Sequence, residues 1–522
     1  MNWDEAAFGY NAFSILKTGR DEYGKFLPLL FKSYGDYKFP LFVYLLVPFI
    51  KIFGLNLFAI RLPQSIFGVL AVFVFYKIIK IFTKSEKSAL ISALFLALSP
   101  WHLQFVRGGP EIAISVTLTL AGIYFLFLGL YKNSNNYYIA AILLILSMYT
   151  YFIDRIFIPI FLLSFAIYFR KRLLIQKKVI TKSLFLGLII GMPIIFQLFS
   201  SGHNEKFLKT TVFGIGVNNE YINWLKEDYD SNLDIKIFHN RTYDNLLDIT
   251  NHYLTQFSPG FLFSKGAYID NRQLIYGMGV MYLFDILFLI PGILISIKSK
   301  NKNVKFLFIW LLIAPIPSVI TRDPVHARRS IYMLFPLLYF SAIGSDFVLR
   351  QIGEEKHFFT KMFKLFGILS LIVWSLGFYL ISYYKYTPLL TYKGSSGWSC
   401  GYKEAVEAAQ KYKNNYDKII VDTSYQGPYI YFLFYEQYPP EKYQKEVKYI
   451  QTSKDVLGEG SGYGKYEFRP IYWPDERGDK NTLFIGPPER LPLIDIDAKQ
   501  ASILESIYFP NGEIAFYIVG TH

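Results

Sequence analysis

Four places along this chain gather the residues that could carry chemistry. Asp4 and Glu5 open the sequence, with Asp21, Glu22 and Lys38 close behind. Trp101, His102, Arg107 and Glu111 form a second group. Asp154-Arg155 interrupts an apolar run, and His326, Arg328 and Arg329 close the set. Taken singly, such residues cap helices, pair locally or stay solvated. Collected on one side of a membrane they suggest a site, because charge near hydrocarbon is costly and is retained where it is used. A carboxylate can accept the proton of an acceptor hydroxyl. A second carboxylate can position that acceptor or hold a divalent cation. Arg and Lys can bind and neutralise a departing phosphate. Together these roles fit transfer of a sugar from a lipid phosphate.

The surrounding sequence reads as a membrane scaffold. Of 522 residues, 52% are hydrophobic and 19% aromatic, a composition typical of polytopic membrane proteins rather than soluble domains. Ten apolar segments are predicted to span, at 62–80, 88–106, 111–131, 137–152, 155–169, 183–199, 276–298, 304–320, 331–349 and 365–384. The segment 39–54 is shorter and contains Pro40, Pro48 and Lys51, so it is expected to lie in the interface. The net charge of +14 could indicate nucleic acid. It is better accounted for by the Lys- and Arg-rich linkers 77–87, 170–182, 298–305 and 350–364, which fall at every second connection. The positive-inside bias puts those linkers in the cytoplasm. The alternate connections then lie outside, although 321–329 carries Arg322, Arg328 and Arg329 against the trend. The opening stretch and the C-terminal tail are outside as well. An outside start with no apolar segment before it predicts that one transmembrane helix precedes Met1, lost through a late start codon or a truncated gene. A single cysteine, Cys400, leaves no internal disulfide and no cysteine metal cluster.

The fold class expected is thus mainly α, polytopic, with a small α/β domain outside the membrane. Its membrane domain is 1–384, including a first outer loop 1–61 and a large outer loop 200–275, and its soluble extracytoplasmic domain is 385–522. In the latter, 403–411 reads as an amphipathic helix and 418–422, 430–435, 482–485 and 514–519 as strands. With the reactive groups outside, a cytoplasmic nucleotide sugar could not reach them, so the donor must be lipid-linked.

The order of motifs resembles a known group. Asp4-Glu5 with Tyr10, Gly19-Arg20-Asp21-Glu22-Tyr23-Gly24, Lys38-Phe39-Pro40 with Tyr44, Phe53-Gly54 and Arg61-Leu62-Pro63 are similar to the C-type glycosyltransferases. More narrowly they resemble the protein O-mannosyltransferase and lipid A aminoarabinose transferase group. Ser99-Pro100-Trp101-His102, Arg107, Glu111, the run 258–263 and His326-Ala327-Arg328-Arg329 continue the likeness. The resemblance implies an inverting hexosyl- or pentosyltransferase of the prokaryotic plasma membrane, with a polyprenyl-phosphate sugar as donor and a protein, lipid or glycan as acceptor. It implies catalytic roles for Asp4, Glu5 and Glu111, the last standing where many relatives have Asp. A divalent cation is a candidate cofactor, with Asp4 and Glu111 as its ligands. Lys38 stands where a basic residue contacts donor phosphate, although Phe39 replaces one of the two prolines more often found there. Asp21, Glu22, Tyr44, Arg107, His326, Arg328 and Arg329 complete the substrate-binding set. The alternative is a transporter or flippase of lipid-linked sugars, which would place ionisable residues near mid-span and use paired repeats with broken helices. A non-catalytic membrane anchor for the tail would leave the outer acids without a role.

Overall fold

A computed structural model describes residues 1–33, 36–109, 111–198, 211–212, 241–267, 277–321, 323, 325–382, 399–425, 427–449, 460–496 and 499–522. Most of the expected outer loop 200–275, and Arg322, lie outside the described residues. The chain forms two compact units, Met1–Pro63 with Tyr384–His522, and Gln64–Tyr383. The opening sixty-three residues therefore fold with the C-terminal part, where the sequence reading divided the chain at residue 384.

The first unit begins with a helix where a polar loop was expected. Helix α1, Trp3–Thr18, starts at a reciprocal capping box: the Glu5 amide donates to Asn2 Oδ1 at 2.8 Å and the Asn2 amide donates to Glu5 Oε2 at 3.0 Å. Gly19 ends it at φ 67°, a left-handed position that favours glycine. Ala6, Ala7, Phe8, Tyr10 and Ala12 are buried, which gives a helix of weak local pattern its tertiary support. A two-stranded hairpin follows, β1 (Phe31–Ser33) and β2 (Asp36–Lys38), leading into α2, Pro40–Phe53, the short apolar helix expected at 39–54. Phe8 packs edge-on against Phe42 with ring centroids 4.9 Å apart.

Among the described residues, the C-terminal part of this unit holds a seven-stranded mixed sheet in the order β4-β5-β6-β3-β7-β9-β8. Its strands are β3 (Lys418–Val421), β4 (Lys448–Tyr449), β5 (Gly460–Tyr463), β6 (Tyr466–Phe468), β7 (Thr482–Gly486), β8 (Ala501–Tyr508) and β9 (Ile514–Thr521). The parallel pairs of β3 with β6 and β7 form the centre, with Ile420 opposite Phe484. Ile420, Phe484, Trp473, Leu491 and Val519 cluster in its core. The segment 430–435, expected as a strand, is instead the helix Pro428–Tyr435. Proline at its first turn after Gly427 starts a helix, and an apolar run buried on every side carries no periodicity to distinguish helix from strand.

The second unit is helical. Among the described residues, six helices are long and apolar enough to cross a membrane: Leu57–Thr83 (α3, entered from the first unit), Ile112–Tyr131 (α6), Lys177–Phe196 of α10 (Lys177–Leu198), Lys302–Val319, Ile331–Gly353 and Phe358–Ile381. A seventh is the bent pair α4 (Glu86–Leu98) and α5 (Pro100–Gly108), which turns by 53° at Ser99-Pro100. Three other expected spans coincide with shorter helices: α7 (Asn136–Met148), α8 (Asp154–Tyr168) and Asp285–Lys298, of 13, 15 and 14 residues. A short helix, α9 (Arg170–Ile175), links α8 to α10. Glycine permits the closest helix crossing, because a Cβ on Gly292 would lie 1.8 Å from the Phe340 carbonyl oxygen and one on Gly344 1.8 Å from that of Phe288. Phe359 and Phe363 are 86% and 78% exposed on Phe358–Ile381, apolar surface that suits hydrocarbon.

Candidate functional site

The first unit places Asp4, Glu5 and Lys38 together by two local devices. The capping box fixes the first turn of α1, and the hairpin returns Lys38 to it. Lys38 Nζ donates to Asp4 Oδ1 and lies 5.0 Å from the Phe8 ring centre. The Asp4 side chain keeps 29% exposure and the Lys38 side chain 10%. Its neighbour is committed differently. Glu5, 1% exposed, receives Arg61 Nε on Oε1 at 2.7 Å and Arg61 Nη2 on Oε2 at 3.1 Å, while its Oε2 also accepts the Asn2 amide. Of the two adjacent acids, one is anchored at both oxygens and the other reaches solvent. Nothing local to residue 5 announces its partner 56 positions away.

Asp21 and Glu22 are both buried. Asp21 Oδ1 accepts the amides of Tyr23 at 3.0 Å and Lys25 at 2.8 Å and so closes its own turn. The Glu22 amide donates to Asn11 Oδ1 at 3.1 Å, and Tyr429 donates its hydroxyl to Glu22 Oε1 at 3.2 Å. Burial pushes the Glu22 carboxyl up to about 8, with the Asp21 charge adding to it. The Tyr44 hydroxyl donates to the Pro28 carbonyl at 2.9 Å. The C-terminal part supplies Tyr429, Tyr438 and Gln444, which sequence reasoning left without a role. Tyr10 donates to the Tyr438 carbonyl at 3.0 Å and Gln444 Nε2 to the Asp21 carbonyl at 2.8 Å.

The second unit ties the bend at Ser99-Pro100, which carries Trp101 and His102, to the turn at 326–329, which carries His326, Arg328 and Arg329, while Arg107 lies in the last turn of α5 and Glu111 just before α6. Ser99 caps α5, and Trp101 Nε1 donates to the Ala327 carbonyl at 2.9 Å, tying the bend to that turn. The turn closes through the Arg329 amide on the His326 carbonyl at 2.9 Å. The Arg328 guanidinium lies over Phe105 at 5.9 Å and that of Arg329 over Phe152 at 5.8 Å. Arg329 Nη1 also donates to Asp323 Oδ2 at 3.0 Å. The charges of Arg329, Glu111 and Arg328 all act on the Tyr151 hydroxyl, so these three residues share one neighbourhood. Glu111 stands at the N-cap of α6 without a side-chain capping bond. Asp154, expected either in a site or in a pair with Arg155, is buried and accepts hydrogen bonds from Ser115 Oγ at 2.5 Å and from the Tyr332 hydroxyl. Arg155 Nε donates to the Met148 carbonyl at 3.1 Å. An apolar cavity of about 350 Å³ lies between α7, α8 and α10, lined by Leu144, Ile158, Leu162 and Leu188, with Arg155 at its wall.

The donor set does not fit a metal centre: Asp4 is matched by an ammonium, and among the described residues no three His, Cys, Asp or Glu side chains converge.

Residues 38–196 match the model of the family described as dolichyl-phosphate-mannose-protein mannosyltransferase. No curated protein matches the chain in sequence. Among solved structures, ArnT from Cupriavidus metallidurans bound to undecaprenyl phosphate superposes with a TM-score of 0.57 at 12% identity, covering 99% of this chain and 93% of that one. The chain has the C-type glycosyltransferase fold. The apo form of the same ArnT gives 0.55 at 11% identity, covering 99% and 93%. The Archaeoglobus fulgidus oligosaccharyltransferase tethered with an acceptor peptide gives 0.50 at 12% identity, covering 98% of this chain and 69% of that one. Segment match and C-type fold together support a membrane glycosyltransferase.

Proposed function

We propose that this chain transfers a sugar from a polyprenyl-phosphate donor to an acceptor hydroxyl at the outer face of the membrane, with inversion. Asp4 is the general base. It takes the proton of the acceptor hydroxyl as that oxygen bonds to the anomeric carbon. The bond from the anomeric carbon to the phosphate oxygen breaks in the same displacement, and the phosphate leaves with the electron pair. Lys38, Arg328 and Arg329 bind phosphate oxygens and stabilise that charge. Glu5 holds the turn that carries Asp4, and Glu111 positions the acceptor. Asp21, Glu22, Tyr44, Arg107 and His326 shape the substrate site. The apolar cavity beside Arg155 suits an isoprenoid tail. The ten-span arrangement, with 385–522 as an outer α/β domain, is part of the same proposal.

The observation that carries this reading is the unequal commitment of two adjacent carboxylates. Glu5 is held at both oxygens, while Asp4 stays partly exposed beside the Lys38 ammonium. Undecaprenyl phosphate bound to the similar ArnT, and the acceptor peptide on the similar oligosaccharyltransferase, support the classes of donor and acceptor. Purified protein given a polyprenyl-phosphate sugar and an acceptor is expected to release polyprenyl phosphate in step with sugar transfer. Movement of the intact lipid-linked sugar across the bilayer, without release, would instead establish the flippase alternative.

A further inference from the structure

Several helix ends in the second unit meet around a cavity of about 1050 Å³ that has no part in the proposed transfer. The C-terminal ends of α3, α6 and α8, the start of α9 and the start of Lys302–Ile313 line it. Eight of its sixteen lining residues are Lys or Arg and none is Asp or Glu. Helix C-termini attract cations, which accounts for some of them. It does not account for their convergence on one cavity, where like charges repel. Neighbouring acids offset little of this charge: Lys80 pairs with Glu86, which is not part of the lining.

The cavity is also structured. Tyr124, Tyr131 and Tyr168 form aromatic wall, and Arg172 stacks on Tyr131 at 4.7 Å. The Tyr131 hydroxyl donates to buried Asn303, and Asn301 Nδ2 donates to the Phe82 carbonyl at 2.5 Å. The shape is therefore fixed by hydrogen bonds beneath the cations. Beside the basic start of α9, Leu174 and Ile175 are 67% and 85% exposed, an amphipathic segment suited to a bilayer interface. We propose that this cavity binds the phosphate headgroup of an anionic phospholipid. The cations supply charge-assisted hydrogen bonds to phosphate oxygens, the tyrosines contact the glycerol, and the acyl chains leave along the exposed apolar side chains of α9. A soluble polyphosphate shares the headgroup chemistry but makes no use of that apolar flank.

The test is native mass spectrometry of the full-length protein in neutral detergent, titrated with cardiolipin, phosphatidylcholine or inorganic pyrophosphate. Two triple variants remove equal charge: Lys84→Gln/Lys132→Gln/Lys302→Gln inside the cavity, and Lys178→Gln/Lys182→Gln/Lys356→Gln outside it. Cardiolipin is expected to bind wild type in preference to phosphatidylcholine. The cavity triple should weaken it about tenfold or more and the outside triple by less than about twofold. Equal losses in the two triples, or no preference over phosphatidylcholine in wild type, would overturn the proposal. Pyrophosphate binding without cardiolipin binding would overturn the lipid as the source. The wild-type comparison stands whether or not either triple folds.

Discussion

The opening turn of α1 and the turn at 326–329 hold opposite charges in the same manner. In each, neighbouring residues have different partners. Glu5 is anchored by Arg61 and the Asn2 cap, while Asp4 faces Lys38 and solvent. Arg329 is held by Asp323, while Arg328 rests against the Phe105 ring. The regions differ in what surrounds them. The opening turn is fixed by backbone caps and ion pairs, whereas the later turn is fixed by Trp101 reaching the Ala327 carbonyl and by aromatic faces. Adjacency in sequence does not imply shared surroundings: burial and partners differ from one residue to the next.

Substitutions can break this comparison. The largest effect is expected for Asp4→Asn, with about a thousandfold loss of transfer rate and an unchanged melting temperature, read by product release and thermal melting of one preparation. Next, Arg328→Ala should lower kcat/KM for the lipid donor about thirtyfold, and Arg328→Lys should restore part of it, as measured by donor titration. Glu5→Gln should reverse the Asp4 pattern. Loss of the half of the pair that is buried costs about 2 kcal/mol of stability in denaturant or thermal melts, while the folded fraction retains transfer activity.

The smallest effect lies within the first unit. The Glu22 carboxyl is raised to about 8 in the folded protein from 4.5. Between these values the folded state keeps its proton and the unfolded chain has lost it. The stability contributed by the protonated form is thus full below pH 4.5 and is lost as pH rises towards 8. Glu22→Gln mimics the protonated group, so its melting temperature should be flatter than that of wild type across this window. Parallel pH profiles would show that Glu22 is not the titrating group.

Much of the framework was readable because it rests on local signals. The long apolar runs give spans, and strands such as Thr482–Gly486 carry β-branched and aromatic residues and are bounded by turns. What escaped the sequence reading depends on distant partners. Helix α1 is stabilised by burial against Tyr438 and Gln444, more than four hundred residues away. The run 428–435 is apolar all round, so its secondary structure is decided by Gly427, Pro428 and packing rather than periodicity. The Glu5–Arg61 pair, which gives the two acids different surroundings, joins residues 56 positions apart.

The account requires that the opening acids and the 326–329 turn face the same aqueous side. In a Cys400→Ser background, single cysteines at Lys25, Asp323 and Lys302 can be challenged on intact cells with a membrane-impermeant thiol reagent. The account predicts labelling at positions 25 and 323, and labelling at 302 only after permeabilisation. Labelling of 25 and 323 from opposite sides of the membrane would contradict it.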